Sequence, residues 1–196
     1  MEPIFNDANG IRDKAAFDAV KANVHPVTGR LRSSISYEAA LKTKRLFLRP
    51  VDDKNVDDIE SLDFLRFFPN LERFHIFSKK LSDIHGLRYL TKATVILLSS
   101  DWRDGVDLSV VGNCRELEDL EITLTYTTGV EQRSSAAGGA RGLSALNKLS
   151  KLKNLSLRGL GIIDFSFIEY ICLYSRSLTL QKKTSAILRR FKEAQR

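Results

Sequence analysis

The chain has 196 residues, 43% hydrophobic and 28% charged, enough to bury a core, and no stretch nears the ~20 apolar residues of a membrane-spanning helix. Its net charge of +7 is uneven: residues 1–40 carry 5 basic and 5 acidic side chains, 41–150 carry 16 and 16, and 151–196 carry 10 and 3, so the excess lies in the last segment. Cys114 and Cys172 stand far apart with no Cys-x-x-Cys, which argues against a disulfide framework or a zinc site and for plain core packing in a reducing compartment.

The N-terminus, MEPIFNDANGIRDK, lacks the basic start and apolar core of a cleaved signal. A cytoplasmic protein is expected, or one translocated without a cleaved signal. Within residues 1–40, Asp13 to Val24 reads as a short amphipathic helix with Ala16, Phe17 and Val20 on one face, ended by His25-Pro26. This segment is expected to form an N-terminal cap over residues 1–40.

From residue 41 a pattern recurs. KRLFLR, ERFHIF, TVILLS, EDLEIT, KNLSLR and RSLTLQ each hold two apolar residues two positions apart, and the steps from Leu46 through Phe74, Ile96, Leu120 and Leu155 to Leu178 are 28, 22, 24, 35 and 23 residues. Alternation of this kind makes a short strand with one inward face. After each strand the apolar spacing changes to three: Leu71, Phe74, Ile76, Leu81, Ile84, Leu87 and Leu90 occupy positions 1, 4, 6, 11, 14, 17 and 20 of one unit. That spacing suits a helical or 3₁₀ return segment. Leu152 to Ile171 repeats it, and the Asp52-Asp53 and Asp57-Asp58 pairs read as solvated turn residues of the first return segment.

On these residues the chain resembles the leucine-rich-repeat proteins, in particular the 22-residue repeat class of the type 1 phosphatase regulatory subunit and the internalins. The resemblance implies an α/β solenoid: a concave parallel β-sheet of about six short strands, helical or 3₁₀ segments on the convex side, and capping helices at both ends. One domain is expected over 1–196, with repeats over 41–181. The class places Asn at position 9, whose side chain satisfies the backbone of neighbouring coils. Here that position holds Val51, Lys79, Asp101, Thr125 and Leu160, so other groups must do so.

The 35-residue step contains a Gly-, Ser- and Ala-rich run, read as a loop insertion at 126–142. Its Gly-Gly-Ala-Arg-Gly lacks the Gly-Lys-Ser/Thr of a phosphate-binding loop. Beyond it, Ser185 to Arg196 reads as a helix with Ile187, Leu188 and Phe191 on its apolar side, capping the far end over 182–196.

The register also yields an outward face in three rows. One row is Arg45, Arg73, Val95, Asp119 and Asn154; the next is Phe47, His75, Leu97, Glu121 and Ser156; the third is Arg49, Phe77, Ser99, Thr123 and Arg158. Phe47, Phe77 and Leu97 are surplus to a core already filled by alternate positions, and aromatic with arginine side chains is the composition of interface hot spots. The N-terminal segment, a second copy or a different protein could cover this patch. Arg45, Phe47, Arg49, Arg73, His75, Phe77, Leu97, Asp119, Glu121 and Arg158 are the candidate partner-binding residues.

His25, His75 and His85 are read as having no close acidic or nucleophilic partner in the sequence, so no catalytic residue, metal, cofactor or small-molecule substrate is assigned. The expected function is non-enzymatic protein binding, as an inhibitor or immunity protein, an adaptor or a bacterial effector. The alternative is nucleic-acid or ribonucleoprotein binding through Lys182, Lys183, Arg189, Arg190, Lys192 and Arg196.

Overall fold

Each inward apolar pair lies on a strand, and the strands stack in register. The computed structural model describes residues 2–26, 32–49, 54–102, 105–124, 139–162 and 177–179, with 54–55 and 177–179 by backbone alone. The strands β1 (Arg45–Leu48), β2 (Arg73–Phe77), β3 (Val95–Ser100), β5 (Asp119–Leu124), β7 (Asn154–Arg158) and β8 (Ser177–Thr179) form one parallel sheet in that order. Leu46 pairs with Phe74, Phe74 with Ile96, Ile96 with Leu120, Leu120 with Leu155 and Leu155 with Leu178. A second inward row runs Leu48, Ile76, Leu98, Ile122, Leu157, and every described side chain of both rows is buried. Burying a side chain of this kind is worth about 1.5–3 kcal/mol.

The return segments are 3₁₀ turns at Asp63–Phe67, His85–Tyr89, Ser109–Asn113 and Leu143–Lys148, with a further one at Lys54–Asp58. Their three-residue apolar spacing is also their hydrogen-bond spacing. The N–H groups of Leu87, Leu90 and Ala93 donate to the carbonyls of Ile84, Leu87 and Leu90, and those of Val111, Cys114 and Leu117 to Leu108, Val111 and Cys114. A backbone bonded i to i+3 eclipses every third side chain, so the residues that link the turn also fill the core. Entry to three of these turns is set by a small polar side chain that accepts the N–H two residues on: Ser61 Oγ from Asp63, Asp83 Oδ1 from His85 and Asp107 Oδ1 from Ser109.

Coils are tied by repeated contacts. Lys44 O accepts from Glu72 and Arg73 N–H, Glu72 O from Thr94 and Val95, Thr94 O from Glu118 and Asp119, and Glu118 O from Lys153 and Asn154. Beside this line Lys44 meets Glu72 at 2.8 Å and Lys153 meets Glu118 at 2.6 Å. Asp57 and Asp58 bond Lys79 and Lys80 of the next coil. Solvent and salt screen such exposed pairs, so they add little to stability.

The position-9 ladder is replaced by serines one residue earlier. Ser78 Oγ donates to Ile59 O at 2.8 Å, and Ser100 Oγ to Leu81 O at 2.8 Å and Lys79 O at 3.3 Å, both serines being buried. Farther along, the same column holds Leu124 and Gly159 instead. Gly159 has φ +75°, and a Cβ there would lie 2.5 Å from Leu124 Cβ, so the leucine fills the room the glycine leaves. Trp102, also buried, has φ 41° and donates its indole N–H to Thr123 O at 3.0 Å.

The segment expected as an insertion, 126–142, includes a short strand. Ala140–Arg141 is a strand, β6, parallel to β4 (Val106–Asp107) in a separate two-stranded sheet, joined by Val106 N–H to Gly139 O and Leu108 N–H to Arg141 O. Gly142, at φ +68°, then passes so close to Asp107 and Ser109 that a Cβ would meet Ser109 N at 2.5 Å. The rest of the expected insertion, 126–138, with Val51, Asp52-Asp53, Cys172 and the expected helix at 182–196, lies outside the described residues.

At the N-terminal end α1 (Lys14–Val24) is capped by Asp13, whose carboxylate accepts from Ala16 N–H, and it packs on β1 with Phe17 and Val20 buried. The segment after it holds a second helix not anticipated from the sequence, α2 (Tyr37–Lys42), capped by Ser36. Ile4 and Ile35 bridge antiparallel, and Ser36 N–H donates to His25 Nε2, so His25 ties the segment together rather than standing free.

Candidate functional site on the concave face

Alternate residues of the strands face outward, and the register brings the candidate residues together. Arg45, Arg73, Val95, Asp119 and Asn154 are successive partners, as are Phe47, His75, Leu97, Glu121 and Ser156, and Phe77, Ser99, Thr123 and Arg158. Arg49 is one residue past β1, yet its guanidinium lies over the Phe77 ring, 5.8 Å from the centroid, which keeps it in the third row.

The aromatic end is built by two contacts. Phe47 and His75 meet edge to face with centroids 4.5 Å apart and planes at 65°, and Phe77 stays 38% exposed. The alternative in which the N-terminal segment covers the patch does not hold for Phe77. That segment meets the sheet at its edge: Asn23 Oδ1 accepts the outward N–H of Phe47 at 3.4 Å, a contact for which no sequence signal stood out. Covering an edge strand in this way removes a template for pairing with other chains.

Protonation of His75 is disfavoured. Burial lowers its pKa first, the Arg49 and Arg73 charges lower it further, and Glu121 opposes them. Both ring nitrogens are shielded from solvent and have no hydrogen-bond partner among the described residues. A buried imidazole without partners loses solvation in either charge state, and more when protonated.

The face is graded in charge. Arg45 and Arg49 stand on the first coil, Arg73 on the second, uncharged Val95 and Leu97 on the third, Asp119 and Glu121 on the fourth, and Arg158 on the next. The lysines along the coil junctions are bonded to acids of the adjoining coil, whereas Arg45, Arg73 and Arg158 have no ion-pair partner among the described residues. Neutral groups hold the two acids: Asn154 Nδ2 donates to Asp119, and Thr123 Oγ1 to Glu121 at 3.2 Å. Arg158 Nε donates to Ser156 Oγ at 3.1 Å.

Elsewhere one cluster has the residue types of a hydrolytic triad, and it corrects the expectation that His85 has no acidic neighbour. His85 Nδ1 lies 2.7 Å from Asp83 Oδ1, and Ser61 Oγ donates to Asp83 Oδ2 at 3.1 Å. The carboxylate stands between serine and imidazole, so the imidazole cannot take the serine proton, and the group serves the turn entry. Burial raises the Asp83 pKa, but bonds from His85 and Ser61 outweigh it and hold the carboxylate below its ordinary value.

Cys114 is fully buried, its thiol pushed up to about 12 by burial. Among the described residues no group of three or more His, Cys, Asp or Glu is placed to hold a metal ion, and no helix is long and apolar enough to cross a membrane. A cleft of about 460 Å³ lined by Pro3, Arg32, Ser34, Tyr37 and Leu41 lies in the N-terminal segment, away from the concave rows.

No family model and no curated sequence matches the chain. Among solved structures it is similar to an internalin, InlF, from Listeria monocytogenes, with a TM-score of 0.62 and 16% identity over 90% of this chain. A second internalin from that organism, InlC2, aligns over 87% of this chain and 93% of its own at 15% identity, with a TM-score of only 0.40. The chain spans about 45% of the length of the InlF chain. With the stacked parallel strands and 3₁₀ return segments, the likeness shows the fold: this chain is a leucine-rich-repeat solenoid.

Proposed function

We propose that the protein is a non-enzymatic binding module that holds a partner protein on its concave face, with Arg45, Phe47, Arg49, Arg73, His75, Phe77, Leu97, Asp119, Glu121 and Arg158 as the contact residues. The observation that carries this reading is the exposure of Phe77 with Arg49 stacked on it, above a core that alternate residues already fill. Aromatic and arginine anchors in one patch are what hot spots are made of, and truncating one typically costs about 2 kcal/mol or more of binding. A preformed sheet adds affinity because little of it must be ordered on binding. A cytoplasmic place for the protein belongs to the same reading, supported by the free thiol of Cys114.

The test is affinity capture from extracts of the source cell with the native chain and with Phe77→Ala and Arg73→Glu, alongside thermal melting of each. Loss of the captured protein with melting unchanged supports the reading. Capture retained by both variants contradicts it.

A further inference from the structure

We propose that the concave face takes an extended protein segment whose side chains run acidic, apolar, basic from the first coil toward the fourth. The inference rests on the concave-face function proposed for this chain and adds the chemistry of the partner.

Its ground is the order along the sheet of charges that form no ion pair among the described residues. Arg45 and Arg73 are successive partners at the basic end, Asp119 lies two strands beyond Arg73 in the same row, and Glu121 adjoins it. Between the two charged ends stands Leu97, with no charged outward residue on its strand. Parallel strands lie about 4.8 Å apart, so Arg73 to Asp119 spans roughly 10 Å and Arg45 to Asp119 roughly 14 Å. An extended chain crossing the strands advances about 3.3 Å per residue. Its carboxylate and its ammonium or guanidinium group should therefore stand three or four residues apart, with an apolar side chain between them over Leu97.

The same arrangement disfavours a uniform polyanion. A chain bearing a phosphate at every step would meet Asp119 and Glu121 after leaving the arginines, and those carboxylates are stabilised by neutral donors, with no ion-paired cation among the described residues to offset the repulsion. Arg158 lies beyond them in the third row, across Thr123 from the acidic pair, and its Nε is taken by Ser156. Like-charge juxtaposition of this kind costs enough to exclude wrong partners.

The experiment selects a displayed library of random twelve-residue peptides on the full chain, then measures synthetic copies of the enriched peptides by fluorescence anisotropy. Enriched sequences should carry Asp or Glu three or four positions from Lys or Arg, an apolar residue between. Exchanging the two charges in the synthetic peptide should weaken binding at least about tenfold. The variant combining Arg45→Glu, Arg73→Glu, Asp119→Lys and Glu121→Lys, with its fold checked by circular dichroism, should prefer the exchanged peptide. No enrichment, or affinity indifferent to the exchange, overturns the proposal. Leu97→Arg separates the two levels: if it abolishes binding while charge order has no effect, the partner chemistry is wrong and the face is right, whereas unchanged binding by Leu97→Arg removes the face as well. A single-stranded oligonucleotide that binds the native chain, loses binding with Arg45→Glu and Arg73→Glu, and keeps it with Asp119→Lys and Glu121→Lys also overturns the proposal.

Discussion

Phe47 and His75, neighbours across β1 and β2, meet edge to face with ring centroids 4.5 Å apart, and the imidazole nitrogens are shielded from solvent and find no hydrogen-bond partner among the described residues. The folded chain therefore prefers His75 neutral. Because its pKa is depressed below the ordinary histidine value, the unfolded chain binds the proton more readily. The stability that this preference contributes is complete above the ordinary value, falls as the pH drops from there to the lowered native value, and is level below it. His25, lowered by burial and by Arg32, adds in the same direction. Denaturant titrations across pH 7.5 to 5 should show a fall in stability that is smaller in His75→Gln. An identical fall in both proteins would show that the imidazole titrates as it does in the unfolded chain.

The inward and outward faces of one strand should respond differently to truncation. Phe74 is buried in β2 and Phe77, three residues on, is exposed. Phe74→Ala should cost about 3–5 kcal/mol by removing core packing. Phe77→Ala should stay within about 0.5 kcal/mol. Equilibrium denaturation measures both, and equal losses would mean that Phe77 belongs to the core.

Ser100 should matter more than an ordinary serine. Its hydroxyl donates to Leu81 O and Lys79 O in a buried site, so Ser100→Ala leaves the Leu81 carbonyl without that donor and should cost about 1–3 kcal/mol. An exposed serine such as Ser144 provides the control, since its change to Ala should be nearly neutral. A neutral Ser100→Ala would show that the bend is satisfied in some other way.

Gly159 and Leu124 should be coupled. Gly159→Ala places a methyl group against Leu124 and a side chain at φ +75°, and should cost about 1–3 kcal/mol. Adding Leu124→Ala relieves the steric part and leaves the backbone part, so the double variant should lose less than the two single losses added together. Strict additivity in a double-mutant cycle would show that the two side chains do not meet.

Much of this architecture was legible because two periods carry it. Alternation at Leu46 and Leu48, and again at Phe74 and Ile76, specifies which side chains go in, and a slip by one residue would invert every one of them, so the outward rows are determined once the inward rows are read. Spacing by three at Leu81, Ile84, Leu87 and Leu90 specifies the 3₁₀ return in the same way. What escaped has no period. α2 spans only Tyr37–Lys42, too short to show an apolar stripe. The pairing of Ala140–Arg141 with Val106–Asp107 rests on two residues a side, more than thirty apart in sequence. The serines that replace the expected Asn sit one position earlier than the family pattern would direct attention, and the clasp of Ser61, Asp83 and His85 joins successive coils.

The reading of the concave face as the binding surface is tested most directly by blocking it at one point. Cys114 is inert to labelling because it is buried and its thiol is pushed up to about 12, so a single new thiol can be introduced in a Cys172→Ser background. A bulky maleimide label on Leu97→Cys, at the centre of the concave rows, should abolish capture of the partner, while the same label on Ser144→Cys, exposed on the 3₁₀ turn Leu143–Lys148, should leave capture unchanged. Capture that survives the label at 97 and fails with the label at 144 would contradict the account and move the binding surface to the convex side.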